Sequence, residues 1–135
     1  MIDTNIVFEG LTHLGPSAKV LDAWAERRFL PCVSTALALE YQAVLQSKLA
    51  AYRRETVSMA LQGLLARCEY VPIYFSYRPA SRDPGDDLVV DCVVNSRAVL
   101  VTSNTRDFLG ASQQLGFPVL RPEIFLSLIR EDVQP

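Results

Sequence analysis

The sequence contains a single histidine, His13, and three cysteines, Cys32, Cys68 and Cys92, that lie far apart with no CxxC pair. A zinc site and a disulfide framework both need closer-spaced ligands or partners, so neither is expected. The odd thiol count in apolar surroundings reads instead as buried thiols in a reducing compartment. A Ser-His-Asp hydrolase is disfavoured for the same want of histidine, and no GxSxG, P-loop or GxGxxG is present. No apolar run approaches the roughly 18 residues that cross a membrane, and Met1-Ile2 leads directly into an acid without the basic and apolar regions of an export signal. A cytoplasmic protein without membrane contact is therefore expected. Lysine is scarce, at Lys19 and Lys48 alone, and the net charge of −2 gives no global attraction to nucleic acid. Contact with RNA would rest on local groups such as Arg27-Arg28, Arg53-Arg54, Arg78 and Arg82, each of which taken singly is an ordinary solvated arginine.

The 135 residues, half of them hydrophobic, suffice for one globular domain spanning 1–135. Short apolar runs alternate with longer helical ones, the pattern of a parallel sheet with helices on its faces. Met1 to Asp3 is read as a first strand that extends toward Val7, and Leu30 to Val33, Glu69 to Ile73, Ala98 to Thr102 and Pro118 to Leu120 as further strands. Helices are expected over Ser17 to Arg28 behind Pro16, over Thr35 to Lys48 behind the cap Ser34, and over Arg54 to Ala66. Asp83-Pro84-Gly85-Asp86 reads as the start of another helix with Asp83 as cap, although the valines that follow would also suit a strand. A short helix at Gly110 to Leu115 and a terminal one from Pro122 to Arg130 complete the domain.

In an open α/β sheet the functional groups gather beyond the carboxyl ends of the strands. Asp3 holds the first such place, followed by Thr4 and Asn5, which can hold a turn or bind a phosphate or water; alone, these are also ordinary turn formers. Glu40 shares a helix face with Ala36, Leu37, Ala43 and Val44, so its carboxylate falls on a core-facing stripe. There it needs a pairing partner or a metal, unless it reaches out at the stripe's edge. Asp87 and Asp91 fall four apart on one face of an otherwise apolar segment, a repulsion that a cation would relieve. Asp86 is accounted for by the helix dipole. Thr102, Asn104 and Asp107 follow the clearest strand and can orient water or a phosphate, or cap the next helix. Oxygen ligands from four places suit a hard cation such as magnesium, which keeps several waters and would activate one for attack on a phosphodiester.

These segments in this order resemble the PIN-domain family: Asp3-Thr4-Asn5, Glu40 in the second long helix, Asp83-Pro84-Gly85-Asp86-Asp87 with Asp91, and Leu100-Val101-Thr102-Ser103-Asn104-Thr105-Arg106-Asp107-Phe108. Bacterial members of the VapC-type toxin branch are the nearest in appearance. The resemblance implies a flavodoxin-like three-layer α/β/α sandwich with a central parallel sheet, Mg2+ or Mn2+ at the acidic site, and endonucleolytic cleavage of RNA. It matches Asp3, Glu40 and Asp87 to the family's main metal-holding acids, with Asp91 and Asp107 completing the catalytic set and Asn5, Thr102 and Asn104 positioning substrate. It implies an antitoxin protein as partner and a homodimer. Two departures stand out: only Met1-Ile2 precede the first acid, which shortens the first strand, and Asn104 replaces an acid, which weakens a second metal. A catalytically silent PIN-like domain that binds RNA or a protein is the alternative. A phosphoacceptor receiver domain would need a paired acid after the first strand and a lysine after the fifth, and a dehalogenase-type phosphatase a DxD; the sequence has none of these.

Overall fold

Met1 to Asp3 lie extended and parallel to the segment around Val101. The Met1 amine donates to the Val99 carbonyl at 3.0 Å, Val101 N–H donates to Met1 O at 2.9 Å and Asp3 N–H to Val101 O at 3.0 Å, in a computed structural model that describes residues 1–76 and 84–133. The strand ends there. Against the expectation that it continues toward Val7, Thr4–Thr12 forms helix α1. Asp3 has the extended backbone of a cap, and its carbonyl accepts from the amides of Ile6 and Val7. Ile6 and Val7 are buried on the helix's inner side, which packs on the next two helices to be described. A short β-branched apolar stretch carries no period of its own, and tertiary burial decides its form.

Helix α2 runs Pro16–Ala25, with proline at its first turn as expected and Val20, Leu21, Ala23 and Trp24 buried. It stops short of Arg28 because Arg27 takes a left-handed conformation (φ 59°), while Arg28 N–H closes back on Ala23 O at 2.9 Å. The approach of α1 to α2 depends on Gly10: a Cβ there would stand 2.6 Å from Leu21 and 2.8 Å from the Ser17 carbonyl.

Strand β1 (Cys32–Val33) leads into α3 (Thr35–Lys48), whose cap Ser34 accepts from Leu37 N–H at 3.0 Å as the sequence predicts. After α4 (Ala51–Leu65), β2 (Glu69–Tyr70) lies parallel to β1. Helix α5 (Pro84–Ser96) resolves the helix-or-strand ambiguity in favour of helix; Asp83, Arg78 and Arg82 lie outside the described residues. Then follow β3 (Leu100–Val101), α6 (Thr105–Leu115), β4 (Val119–Leu120) parallel to β3, and α7 (Pro122–Val133). Helix α6 begins earlier than expected, at Thr105, and ends on Gly116 in the left-handed conformation its terminus requires.

The alternating order and the parallel pairing make this an α/β fold. A single central sheet is not formed among the described residues. The strands make two separate pairs, β1 with β2 and β3 with β4, the latter joined by Ile2 through its bridge to Val101. The regular strands are only two residues long, so helices supply most of the packing. Trp24, Tyr41, Phe108, Ile2, Ile6, Leu37, Leu61 and Leu100 are fully buried in one core. No described helix is long and apolar enough to cross a membrane.

Candidate active site

Asp3 sits where the first extended segment gives way to α1, with 3% of its surface exposed. Its Oδ2 accepts a hydrogen bond from Thr102 Oγ1 at 2.7 Å, and Thr102, just past β3, is itself fully buried. The same hydroxyl accepts from Asn104 N–H at 3.0 Å, which leaves its one proton directed at the carboxylate. Two parallel neighbouring segments thus deliver an acid and a hydroxyl to the same edge. Burial pushes the Asp3 carboxyl above the ordinary range, against the Thr102 hydrogen bond and the amides of Thr4 and Asn5, which pull it back; the charge of Asp107 adds to the rise. Asp107, exposed in the first turn of α6, therefore belongs electrostatically to the surroundings of Asp3.

Tyr41 was not among the expected site residues. Its hydroxyl donates to the Ile2 carbonyl, one residue before Asp3, from the centre of the core. Burial raises its phenol well above the usual value, with smaller contributions from Cys92 and from Asp3, so it stays a neutral donor that fixes the backbone beneath the acid. The sequence signal was available: Tyr41 lies four residues after Leu37 on the buried face of α3. Thr4 Oγ1, beside Asp3, is buried and lacks a hydrogen-bond partner among the described residues.

Asp87 and Asp91 fall on one face of α5, as the spacing predicts, and are buried at 8% and 7% exposure. Asp91 Oδ2 accepts from Ser76 Oγ at 3.1 Å. Glu40 is half-buried. Ala36 and Ala43 are exposed, and the buried stripe of α3 runs instead through Leu37, Ala38, Tyr41 and Leu45, so Glu40 stands at its border and not on its centre. Asn5 and Asn104 are exposed; Asn104 caps α6 through its carbonyl, which accepts from Asp107 N–H at 3.1 Å, and its side chain makes no capping bond.

Among the described residues, no three histidine, cysteine, aspartate or glutamate side chains are grouped so as to hold a metal ion. Asp3, Glu40 and Asp87 thus do not make a preformed three-ligand cage. The donor chemistry fits a hard cation held through water and a small number of carboxylate oxygens, the manner usual for magnesium. A buried carboxylate whose ionisation is opposed by desolvation, as at Asp3, is a group that a cation would stabilise.

No curated protein matches the chain. Its residues 1–106 match the sequence profile described as PIN domain, a span that includes Asp3, Glu40, Asp87, Asp91, Thr102 and Asn104 and stops one residue short of Asp107. With most of the chain inside that match and a buried acid joined to Thr102 across neighbouring parallel segments, the protein belongs to the PIN-domain family, whose members are generally nucleases.

Proposed function

We propose that this protein is a cytoplasmic, Mg2+- or Mn2+-dependent endoribonuclease, the toxin component of a toxin–antitoxin pair, working as a homodimer and restrained by an antitoxin protein. The observation that carries the nuclease reading is the Asp3–Thr102 hydrogen bond, which presents a desolvated carboxylate at the carboxyl edge of the first strand. Asp3, Glu40 and Asp87 are the residues that would hold the metal. When bound, a divalent cation offsets the charge of a phosphodiester and makes water a better nucleophile at neutral pH.

The chain's own groups do the rest. Thr102 keeps its proton on Asp3 and so holds that carboxylate in one orientation, while Tyr41 fixes the backbone beneath it. Asp91 and Asp107 orient the attacking water or accept its proton. The exposed amides of Asn5 and Asn104 position the scissile phosphate, with Thr102 contributing through the Asp3 carboxylate and the Asn104 backbone that it holds.

Purified protein and its Asp3→Asn and Asp87→Asn variants are incubated with a mixed single-stranded RNA pool in Mg2+, in Mn2+ and in EDTA. Cutting that needs metal and is lost in both variants is expected. Wild-type protein that is folded yet cuts under none of these conditions would favour the alternative, a silent PIN-like domain that binds RNA or a protein.

A further inference from the structure

The pairing of β1 with β2 brings two turns side by side. Glu69 N–H donates to Pro31 O at 2.9 Å, so the turn that leads from α2 into β1 lies against the one that leads from α4 into β2. Each turn is closed by its own backbone bonds. In the first, Arg27 N–H donates to Trp24 O at 3.0 Å and Arg28 N–H to Ala23 O at 2.9 Å; in the second, Ala66 N–H donates to Gln62 O at 3.1 Å and Arg67 N–H to Leu64 O at 2.9 Å. Between the turns is a cavity of about 360 Å3 lined by Arg27, Phe29, Leu30, Ala66, Arg67 and Cys68. It lies at the amino ends of β1 and β2 and shares no residue with the candidate active site. Phe29 is half-buried, with its ring edge-on to Phe125 of α7 and the centroids 4.8 Å apart, which gives the cavity a fixed apolar wall. Leu30 leaves 62% of its surface uncovered beside it.

We propose that this cavity is a second binding site, for a small molecule with an apolar body and a single carboxylate. The charges of the lining select the anion. Two arginines and no acid stand among the described lining residues, in a protein whose net charge is −2. One guanidinium nitrogen of Arg67 donates to Gly63 O at 2.8 Å, which satisfies the last turn of α4 and leaves the other donors of the fork for a ligand. The Arg27 side chain makes no bond or ion pair among the described residues. Burial pushes the Cys68 thiol up to about 11, so it is neutral at pH 7 and does not offset the two cations. The walls select the body: Phe29, Leu30 and Ala66 offer apolar surface, and a carboxylate between Arg27 and Arg67 would gain charge-assisted hydrogen bonds. The volume falls within the range of about 300 to 1,000 Å3 usual for small-molecule sites, and the closed turns hold it open in advance, so a compact ligand is favoured over a protein surface.

The probe is octanoate, titrated against the full chain in EDTA and followed through the ligand's own NMR linewidths. Octan-1-ol, acetate and octylammonium serve as controls that lack the charge, lack the body or reverse the charge. Octanoate should bind about tenfold or more tightly than each of them. At saturation it should slow alkylation of Cys68 by iodoacetamide, read by peptide mass, which places the ligand in this cavity. Arg27→Gly suits the left-handed backbone at φ 59°, and Leu30→Glu changes an exposed side chain, so neither should lower the thermal midpoint. Each should weaken octanoate about tenfold, and Leu30→Glu should also reduce its preference over octylammonium. No octanoate binding, octanol bound as tightly as octanoate, or Cys68 alkylated at an unchanged rate overturns the proposal. So does wild-type octanoate affinity in both variants, including the case in which they lose a protein dimer, since the cavity then belongs to an interface between copies. The nuclease reading stands or falls separately, because no residue changed here lies in the candidate active site.

Discussion

Replacing Thr102 with valine keeps the side chain's shape and removes the one hydroxyl that joins Asp3 to the β3 terminus. Two hydrogen bonds are lost. The bond to the Asp3 carboxylate, 2.7 Å long and fully buried, belongs to the charge-assisted class worth about 1.5 to 3 kcal/mol; the Asn104 N–H bond is an ordinary one of about 0.5 to 1.5 kcal/mol. The methyl group gained in their place returns roughly 0.8 kcal/mol of burial. The net loss is about 1 to 4 kcal/mol, or roughly 4 to 14 °C in midpoint for a domain of this size. The loss also depends on pH in a definite direction. Burial already holds the folded Asp3 carboxyl above its unfolded value, so its ionisation opposes folding as pH rises through that value. Removing Thr102 takes away the largest opposing influence and raises the carboxyl further. The penalty should therefore be smaller at pH 3, where Asp3 is mostly protonated in both states and the lost Asn104 bond makes up much of the remainder, and full at pH 8. Trp24, the only tryptophan and 1% exposed, reports unfolding directly by fluorescence in urea, with EDTA present so that no metal stabilises the carboxylate. Equal midpoints for wild type and Thr102→Val at pH 8, or a penalty as large at pH 3 as at pH 8, would refute the reasoning.

Asp3→Asn removes a buried charge whose ionisation the fold resists, so at pH 8 in EDTA the variant should be at least as stable as wild type by urea denaturation, although it no longer cuts RNA; the advantage should vanish in acid. Gly10→Ala places a methyl 2.6 Å from Leu21 and 2.8 Å from a backbone carbonyl that cannot rotate away, and should lower stability by about 1 to 3 kcal/mol in the same assay despite alanine's better helix propensity.

Much of the geometry around the candidate site was legible because its residues announce themselves by position. The spacing of Asp87 and Asp91 on an apolar segment identified one face of α5, and Ser34 marked the start of α3 to the residue. Thr102 was visible as a polar residue closing an apolar strand, though its partner was not: the Asp3 bond spans 99 residues of sequence, and no local pattern encodes it. Residues 4 to 7 failed as a strand reading because Thr, Ile and Val favour extended structure only when packing leaves the choice open, and here α2 and α3 claim Ile6 and Val7. For Glu40 the sequence leaves two readings open, and the one at the stripe's edge holds, because Ala36 and Ala43 face solvent and the buried stripe is set by Leu37, Tyr41 and Leu45. The central sheet was overdrawn for a related reason. Runs of three to five residues keep only two residues each in a hydrogen-bonded ladder.

The union of the chain's first residues with those near position 100 also sets the order of events during synthesis. Met1 waits for Val99, and Asp3 for Val101 and Thr102. A nascent chain that has not emerged past Thr102 leaves its opening segment without a neighbouring strand and its first acid without a hydroxyl. Contacts this distant in sequence form late, after the loop between them has been closed. Asp3 therefore reaches its buried, hydrogen-bonded setting only once Thr102 has been made, however early α1 forms beside it.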